Sequence, residues 1–253
     1  MDIKKIIKAI KHLVSVPVCV CCKDRLDQSQ TTLCEDCREA YNMNKNRDCS
    51  VCFKPLYECL CSNHYLERMR VKKLSKVGRY IRGQDENPLN CMIFSLKEQH
   101  LADTVKTIAE EMLPTVKGLL GEKYDKEDVI ITHVPRSKKS ISRYGYDHSL
   151  LLAREIASKL DLKWETLLNS KVKKRQKMTS GSERRKNAVF NLRRKIPDIT
   201  DKTVIIVDDI VTTGSSIGAC ATALRELKPK QIFASVFAIA YLDNYIISPN
   251  KQN

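Results

Sequence analysis

Nine of the eleven cysteines in this 253-residue chain fall between Cys19 and Cys61, and that crowding dictates how the first quarter of the chain can fold. They come as Cys19-x2-Cys22, Cys34-x2-Cys37, Cys49-x2-Cys52 and Cys59-x-Cys61, with Cys21 left over. A two-residue gap lets a tight turn present both sulfurs to one ion while backbone N–H groups face the thiolates. Four pairs supply eight ligands, enough for two tetrahedral Zn2+ sites of four thiolates each. Large apolar residues are sparse in this stretch, so metal would supply the folding free energy that a core cannot. Disulfides are the structural alternative, and they suit a Lys-rich chain without a secretory leader poorly. Iron–sulfur clusters also take four thiolates and stand as the other rival. The simplest grouping takes Cys19, Cys22, Cys34 and Cys37 for one site, then Cys49, Cys52, Cys59 and Cys61 for the second. The last pair is one residue short, and His64 is a substitute ligand there, although a surface histidine is the simpler reading. Cys91 and Cys220 stand in apolar or helical surroundings and read as packing residues.

The formal charge of +15 is concentrated rather than spread. Residues 171–195 hold eleven basic residues and one acid, and residues 65–82 hold seven and one, so the rest of the chain sums to −1. Like charges this dense repel one another unless an anion relieves them, which points to phosphate contact rather than two solvated faces. Eight thiolates with two Zn2+ would bring the chain to about +11 and turn the Cys module acidic. The composition is globular, 42% hydrophobic and 30% charged, which excludes disorder throughout. The most apolar stretch, Ile232 to Leu242, is eleven residues long and too short to span a bilayer. At the start, Lys4, Lys5, Lys8 and Lys11 alternate with Ile3, Ile6, Ile7 and Ile10. That spacing predicts an amphipathic helix rather than a signal peptide, and a cytoplasmic protein.

From about residue 90 helical and strand patterns alternate. Ala102 to Leu113 and Asp147 to Leu160 have helical spacing, while Val129 to Val134, Thr203 to Val207 and Gln231 to Leu242 read as strands. The alternation indicates parallel βαβ units, an α/β fold with helices on both faces of the sheet. Ligands in such sheets bind outside the carboxyl ends of the strands. The stretch Val204 to Ser216, VIIVDDIVTTGSS, carries most information. An apolar strand runs into Asp208 and Asp209, whose adjacent carboxylates repel unless hydroxyl donors or a metal relieve them. Thr212, Thr213, Gly214, Ser215 and Ser216 then open a helix, offering N–H groups and hydroxyls to a phosphate. A capped strand-to-helix turn is the bland alternative. The joint provision for hydroxyls and a phosphate fits a phosphorylated sugar.

These thirteen residues resemble the signature of the type I phosphoribosyltransferases, and the chain as a whole resembles the ComF competence-protein family within that superfamily. Supporting features are the Cys-paired module ahead of the sugar-phosphate stretch, His133-Val134-Pro135 at a strand end and Gly145-Tyr146-Asp147 opening a helix. Gln176 followed eleven positions later by Asn187, with Glu183, Arg184 and Arg185 between, is another. Tyr144 stands where the family usually has Arg, and His148 where Gln is usual.

The resemblance implies that Asp208 and Asp209 bind the ribose hydroxyls of 5-phosphoribosyl-1-pyrophosphate (PRPP). Thr212 to Ser216 would hold its 5′-phosphate, and Arg136 after Pro135 would face pyrophosphate accompanied by Mg2+. It makes 171–195 a hood loop, with Lys174, Arg175, Gln176, Arg184, Arg185 and Asn187 meeting the ligand. The expected organisation is an amphipathic helix over 1–18, a double zinc-ribbon-like module over 19–64 and a basic connector over 65–90. A phosphoribosyltransferase-like domain over 91–245 and a polar tail over 246–253 complete it. No base-stacking pocket is legible, because Phe53, Phe94, Phe190, Phe233, Phe237 and Trp164 are scattered and mostly read as core. Two functions remain in view. One is a phosphoribosyltransferase of unknown acceptor acting in uptake of transforming DNA. The other is a PRPP sensor or single-stranded DNA-binding accessory, partnered by DNA-uptake or helicase proteins.

Overall fold

A computed structural model describes residues 17–27, 29–96, 101–171, 189–240 and 246–247. Five strands, β2 (Val71–Arg79), β3 (Val129–His133), β4 (Lys163–Trp164), β7 (Thr203–Val211) and β8 (Gln231–Ile239), form one sheet in the order β2-β8-β7-β3-β4. All four pairings are parallel. The period-2 pattern of the strands explains why the sheet is covered on both sides. Ile205 and Val207 of β7 enter one core, whereas Val204 and Ile206 enter the other.

The first core takes apolar residues from helices α3 (Pro88–Ser95), α4 (Leu101–Leu120) and α6 (His148–Leu160). Within α4, Val105, Ile108, Ala109, Met112 and Val116 recur at helical spacing and are all buried. The second core is closed by Ile217, Cys220, Ala221 and Leu224 of α7 (Ser215–Leu224). Cys220 is the packing residue its surroundings suggested.

Residues 65–90, read from sequence as a connector, instead supply edge strand β2, preceded by the short helix α2 (His64–Arg68) and followed by the start of α3. Lysines hid the strand: Lys72 and Lys73 are exposed or half-buried, while Val71, Leu74 and Val77 point into the two cores. β7 also runs four residues past its expected end, so Asp208 and Asp209 lie within the strand, with Asp208 opposite Val236.

The Cys-rich segment sits astride the β2 edge. Its first half, with helix α1 (Glu35–Lys45), lends Cys19, Leu26, Leu33 and Tyr41 to one core, and its second half lends Cys49, Leu56, Cys59, Cys61 and Leu66 to the other. The close approach is visible at Gly78 of β2, where a Cβ would meet Leu89 at 2.5 Å and Asn44 at 2.8 Å. Three smaller elements complete the chain. Strand β1 (Ser62–Asn63) pairs antiparallel with β9 (Ile246–Ile247), and β5 (Leu168–Lys171) with β6 (Val189–Leu192). Helix α5 (Lys138–Tyr144) follows β3. The amphipathic stretch before residue 17, and the hood residues Lys174, Arg175, Gln176, Arg184, Arg185 and Asn187, lie outside the described residues.

Candidate functional site

Two Cys quartets assemble, and they are the two groupings read from the spacing. The ligand atoms of Cys19, Cys22, Cys34 and Cys37 lie within 4.8 Å of one another, as do those of Cys49, Cys52, Cys59 and Cys61. Each quartet starts from the same turn. Lys23 N–H donates to Cys19 O and Phe53 N–H donates to Cys49 O, and Lys23 and Phe53 both take left-handed φ, 68° and 56°. Four sulfurs around one Zn2+ with Zn–S near 2.3 Å stand about 3.8 Å apart; Cys22 and Cys34 sulfurs are 3.5 Å apart. The donor sets therefore fit a tetrahedral metal. Burial opposes ionisation of Cys19, yet N–H groups of Cys34, Cys21 and Cys22 outweigh it and lower the thiol to about 7. Cys59 falls further, to about 4, through its hydrogen bond from Cys61 and, against burial, the charge of Lys76. Lys76 is wholly buried in β2, donating to Cys61 O at 2.6 Å and Leu74 O at 3.3 Å. His64 is exposed at the start of α2 and belongs to neither quartet.

At the carboxyl edge of the sheet the acidic pair is buried, Asp208 and Asp209 being 5% and 3% exposed. The structure brings Arg136, from the loop after β3, onto both carboxylates: one terminal nitrogen lies 2.6 Å from Asp209 Oδ1 and 3.4 Å from Asp208 Oδ1. Ser149 of α6 donates to Asp208 at 2.6 Å, and the N–H of Ile210 donates to Asp209 at 2.8 Å. The two acids are driven apart. Burial and the neighbouring Asp209 push Asp208 up to about 8, whereas Asp209, against burial, is held low by Arg136. Asp147 seats the loop, accepting from the N–H of Arg136 at 2.8 Å while capping α6 through Leu150 N–H.

Five residues beyond Asp209, Gly214 takes φ 80° as the N-cap of α7, a conformation that glycine adopts without strain. Thr213 and Ser215 hydroxyls bond to each other beside it. Thr212 is exposed, Thr213 and Ser216 are half-buried and Ser215 is buried. These five residues thus surround a helix N-terminus beside the carboxylates, as the spacing of VDDIVTTGSS indicated.

The chain is similar to several known proteins. A sequence model of the phosphoribosyl transferase domain matches residues 147–243. Competence protein F of Haemophilus influenzae is 26% identical over 223 residues, covering 85% of this chain and 93% of that protein. The chain carries a phosphoribosyl transferase domain and resembles a ComF-type competence protein over most of its length. Among solved structures, the match to a purine phosphoribosyltransferase from Pyrococcus horikoshii covers 54% of this chain and 82% of that one, at 17% identity and TM-score 0.36. The AQ2163 protein of Aquifex aeolicus covers 67% and 90%, at 13% identity and TM-score 0.37. Overlays this loose carry no argument; the strand order and the site carry it instead.

Sequence reasoning missed two residues of the site. Lys76 and Ser149 look like ordinary surface residues in the sequence, and only the fold shows them buried against Cys61 and Asp208. Two of the scattered aromatic residues do not join a core: Phe53 is 78% exposed and Trp164 38%. Phe53 sits on the turn that follows Cys49, where no core reaches, and Trp164 lies on edge strand β4, stacked under Arg154.

Proposed function

We propose that this ComF-like protein binds PRPP at the carboxyl edge of its sheet and holds two structural Zn2+ ions in its Cys quartets. The observation that carries the reading is the acidic pair: two buried adjacent carboxylates, bridged by Arg136, five residues ahead of the glycine that caps the next helix. Asp208, raised by burial and its acidic neighbour, and Asp209, held low by Arg136, offer unlike partners to a vicinal diol. Thr212 to Ser216 take the 5′-phosphate on N–H groups and hydroxyls. Arg136, which neutralises the empty carboxylates, has donors enough to turn toward pyrophosphate when the ribose arrives. Mg2+ accompanying PRPP would neutralise pyrophosphate charge.

If the site turns over, a nitrogen nucleophile forms a bond to the anomeric carbon, the bond to pyrophosphate oxygen breaks, and the acceptor gives up a proton. The hood residues would exclude water from that cation. Similarity to a protein named competence protein F supports a role in competence, which we read as uptake of transforming DNA by a cytoplasmic protein. Among the described residues no helix is long and apolar enough to cross a membrane.

A second reading, a PRPP-sensing or single-stranded DNA-binding accessory without turnover, is favoured by the exposed Phe53 beside Lys54, an aromatic platform next to a cation. Calorimetry with PRPP and Mg2+ tests the first reading: binding by the wild type, lost in Asp208→Asn/Asp209→Asn, supports it, and no binding by wild type refutes it. Pyrophosphate release across a panel of nitrogenous acceptors separates enzyme from sensor. Salt-dependent affinity for single-stranded DNA that drops in Phe53→Ala supports the accessory role; an affinity indifferent to Phe53 removes its basis.

A further inference from the structure

Cys21 and Cys91 belong to neither metal quartet, and the fold sets their sulfurs 2.9 Å apart although 70 positions separate them in the chain. Cys91, which reads from sequence as a packing residue, is therefore half of a thiol pair. Cys21 lies on the turn between Cys19 and Lys23, held across the module by Val20 N–H donating to Thr32 O. Cys91 lies in the first turn of α3, where its own N–H donates to Asn87 O behind the Pro88 start of the helix. The loop joining β2 to α3 runs past both. Cys21 Sγ donates to Glu86 O at 3.0 Å, and Cys91 Sγ lies within reach of Asp85 O at 3.1 Å. That loop is itself fixed, because the Asn90 side chain donates to the carbonyls of Ile81 and Gln84 at 2.7 and 2.8 Å. The pair thus joins the Cys module to the α/β sheet unit where both backbones are held.

Sulfurs at 2.9 Å need to close by only about 0.9 Å to reach disulfide bond length. Access to the two is unequal: Cys21 is half-buried, whereas Cys91 is 7% exposed. An oxidant arriving from solvent therefore meets Cys21 first, with Cys91 standing behind it to complete the bond. Where the surroundings are reducing, a disulfide is a transient, redox-sensing device rather than a permanent staple.

We propose that Cys21 and Cys91 form a reversible disulfide that latches the Cys module to α3, made by exchange with a low-molecular-weight disulfide such as oxidised glutathione. The Cys21 sulfur gives up its proton and attacks one sulfur of the oxidant. The oxidant's S–S bond breaks, and one half leaves as a thiol carrying that proton. The Cys91 sulfur then gives up its proton and attacks the Cys21 sulfur of the mixed disulfide, releasing the other half as a second thiol. Two protein thiols are oxidised and one small disulfide is reduced. The eight quartet cysteines take no part, so both metal sites survive the change. The latch uses none of the residues assigned to PRPP and stands whether or not that ligand binds.

The full metal-loaded chain is equilibrated in glutathione buffers running from fully reduced to fully oxidised, quenched by alkylation, and read by intact mass, peptide mapping and zinc content. Burial raises the Cys91 thiol above its ordinary range, which slows the exchange, so the reading is taken at equilibrium rather than after a pulse of oxidant. The expected result is the loss of two alkylatable thiols, one crosslinked peptide joining Cys21 to Cys91, and both zinc equivalents retained. Reduced glutathione restores both thiols. Free Cys21 and Cys91 in the fully oxidised buffer overturn the proposal, and so does a glutathione adduct on Cys21 that goes no further. A first disulfide drawn from the quartet cysteines overturns it equally. Cys91→Ser should stop at the glutathione adduct on Cys21, and Cys21→Ser should form no crosslink while keeping two zinc equivalents. Loss of one equivalent in Cys21→Ser would make Cys21 a metal ligand and refute the latch. Should a variant fold poorly, peptide mapping of the wild-type chain decides by itself.

Discussion

Replacing Gly214 by Ala tests the seating of the Cys module on the phosphate loop in terms of stability alone. Two costs add. A non-glycine residue at φ 80° pays about 1–2 kcal/mol for the left-handed backbone. The new Cβ would stand 2.8 Å from Leu66 Cγ and 3.0 Å from its Cδ2, and overpacking of this kind costs about 1–3 kcal/mol. Gly214→Ala should therefore lose about 2–5 kcal/mol in urea unfolding of the metal-saturated protein, with an unchanged slope. Leu66→Ala alone opens a cavity and costs about 2–5 kcal/mol. In the double variant the Ala side chain at 214 has room, so its overpacking disappears and only the backbone strain persists. The double variant should thus be more stable than the sum of the singles by about 1–3 kcal/mol. Additivity within about 0.5 kcal/mol would mean that the two residues do not touch, and the packing of α2 on α7 would be wrong.

Other outcomes follow from buried charge. Asp208 has a folded-state pKa above its unfolded value, so the native state holds more protons between pH 4 and 8 and loses stability as pH rises through that window. Asp208→Asn removes this slope, up to about 1.4 kcal/mol per pH unit, so its stability relative to wild type should climb from pH 5 to pH 8.5 in thermal melts; parallel pH profiles would contradict the assignment. Lys76 faces a quartet that would carry two net negative charges once four thiolates hold one Zn2+. Lys76→Met should speed metal loss from one of two equivalents in a chelator assay, leaving the other unchanged. A variant that is stabilised and keeps both metals would show the quartet to be four neutral thiols instead.

Much of this was legible in the chain. Each cysteine pair lies in one turn, and a turn is local, so spacing alone grouped the quartets even with the shortened Cys59-Cys61 pair. The acidic pair and the Thr/Gly/Ser loop were legible for the same reason: strand, carboxylates and helix cap are consecutive. Strand β2 was not, because Lys72, Lys73 and Lys76 broke the apolar alternation. Lys76 is buried only because the Cys61 carbonyl waits for it fifteen residues away in sequence. Arg136 was singled out for pyrophosphate, and its grip on both carboxylates needed β3 and β7 side by side.

The position of the Cys module on β2 has one more consequence. An uncovered outer strand offers a ladder of unpaired N–H and C=O groups to any other extended chain. Here Leu74 N–H is bonded to Leu60 O of the module, and the module lies along that strand. Chelating the metal would loosen this cover before it unfolded the α/β sheet behind it. Protein stripped of metal should then be lost by self-association through β2, forming β-rich aggregates at concentrations where the loaded protein stays monodisperse. Purification and storage conditions for this chain are thus set by its cysteines rather than by the stability of its larger domain.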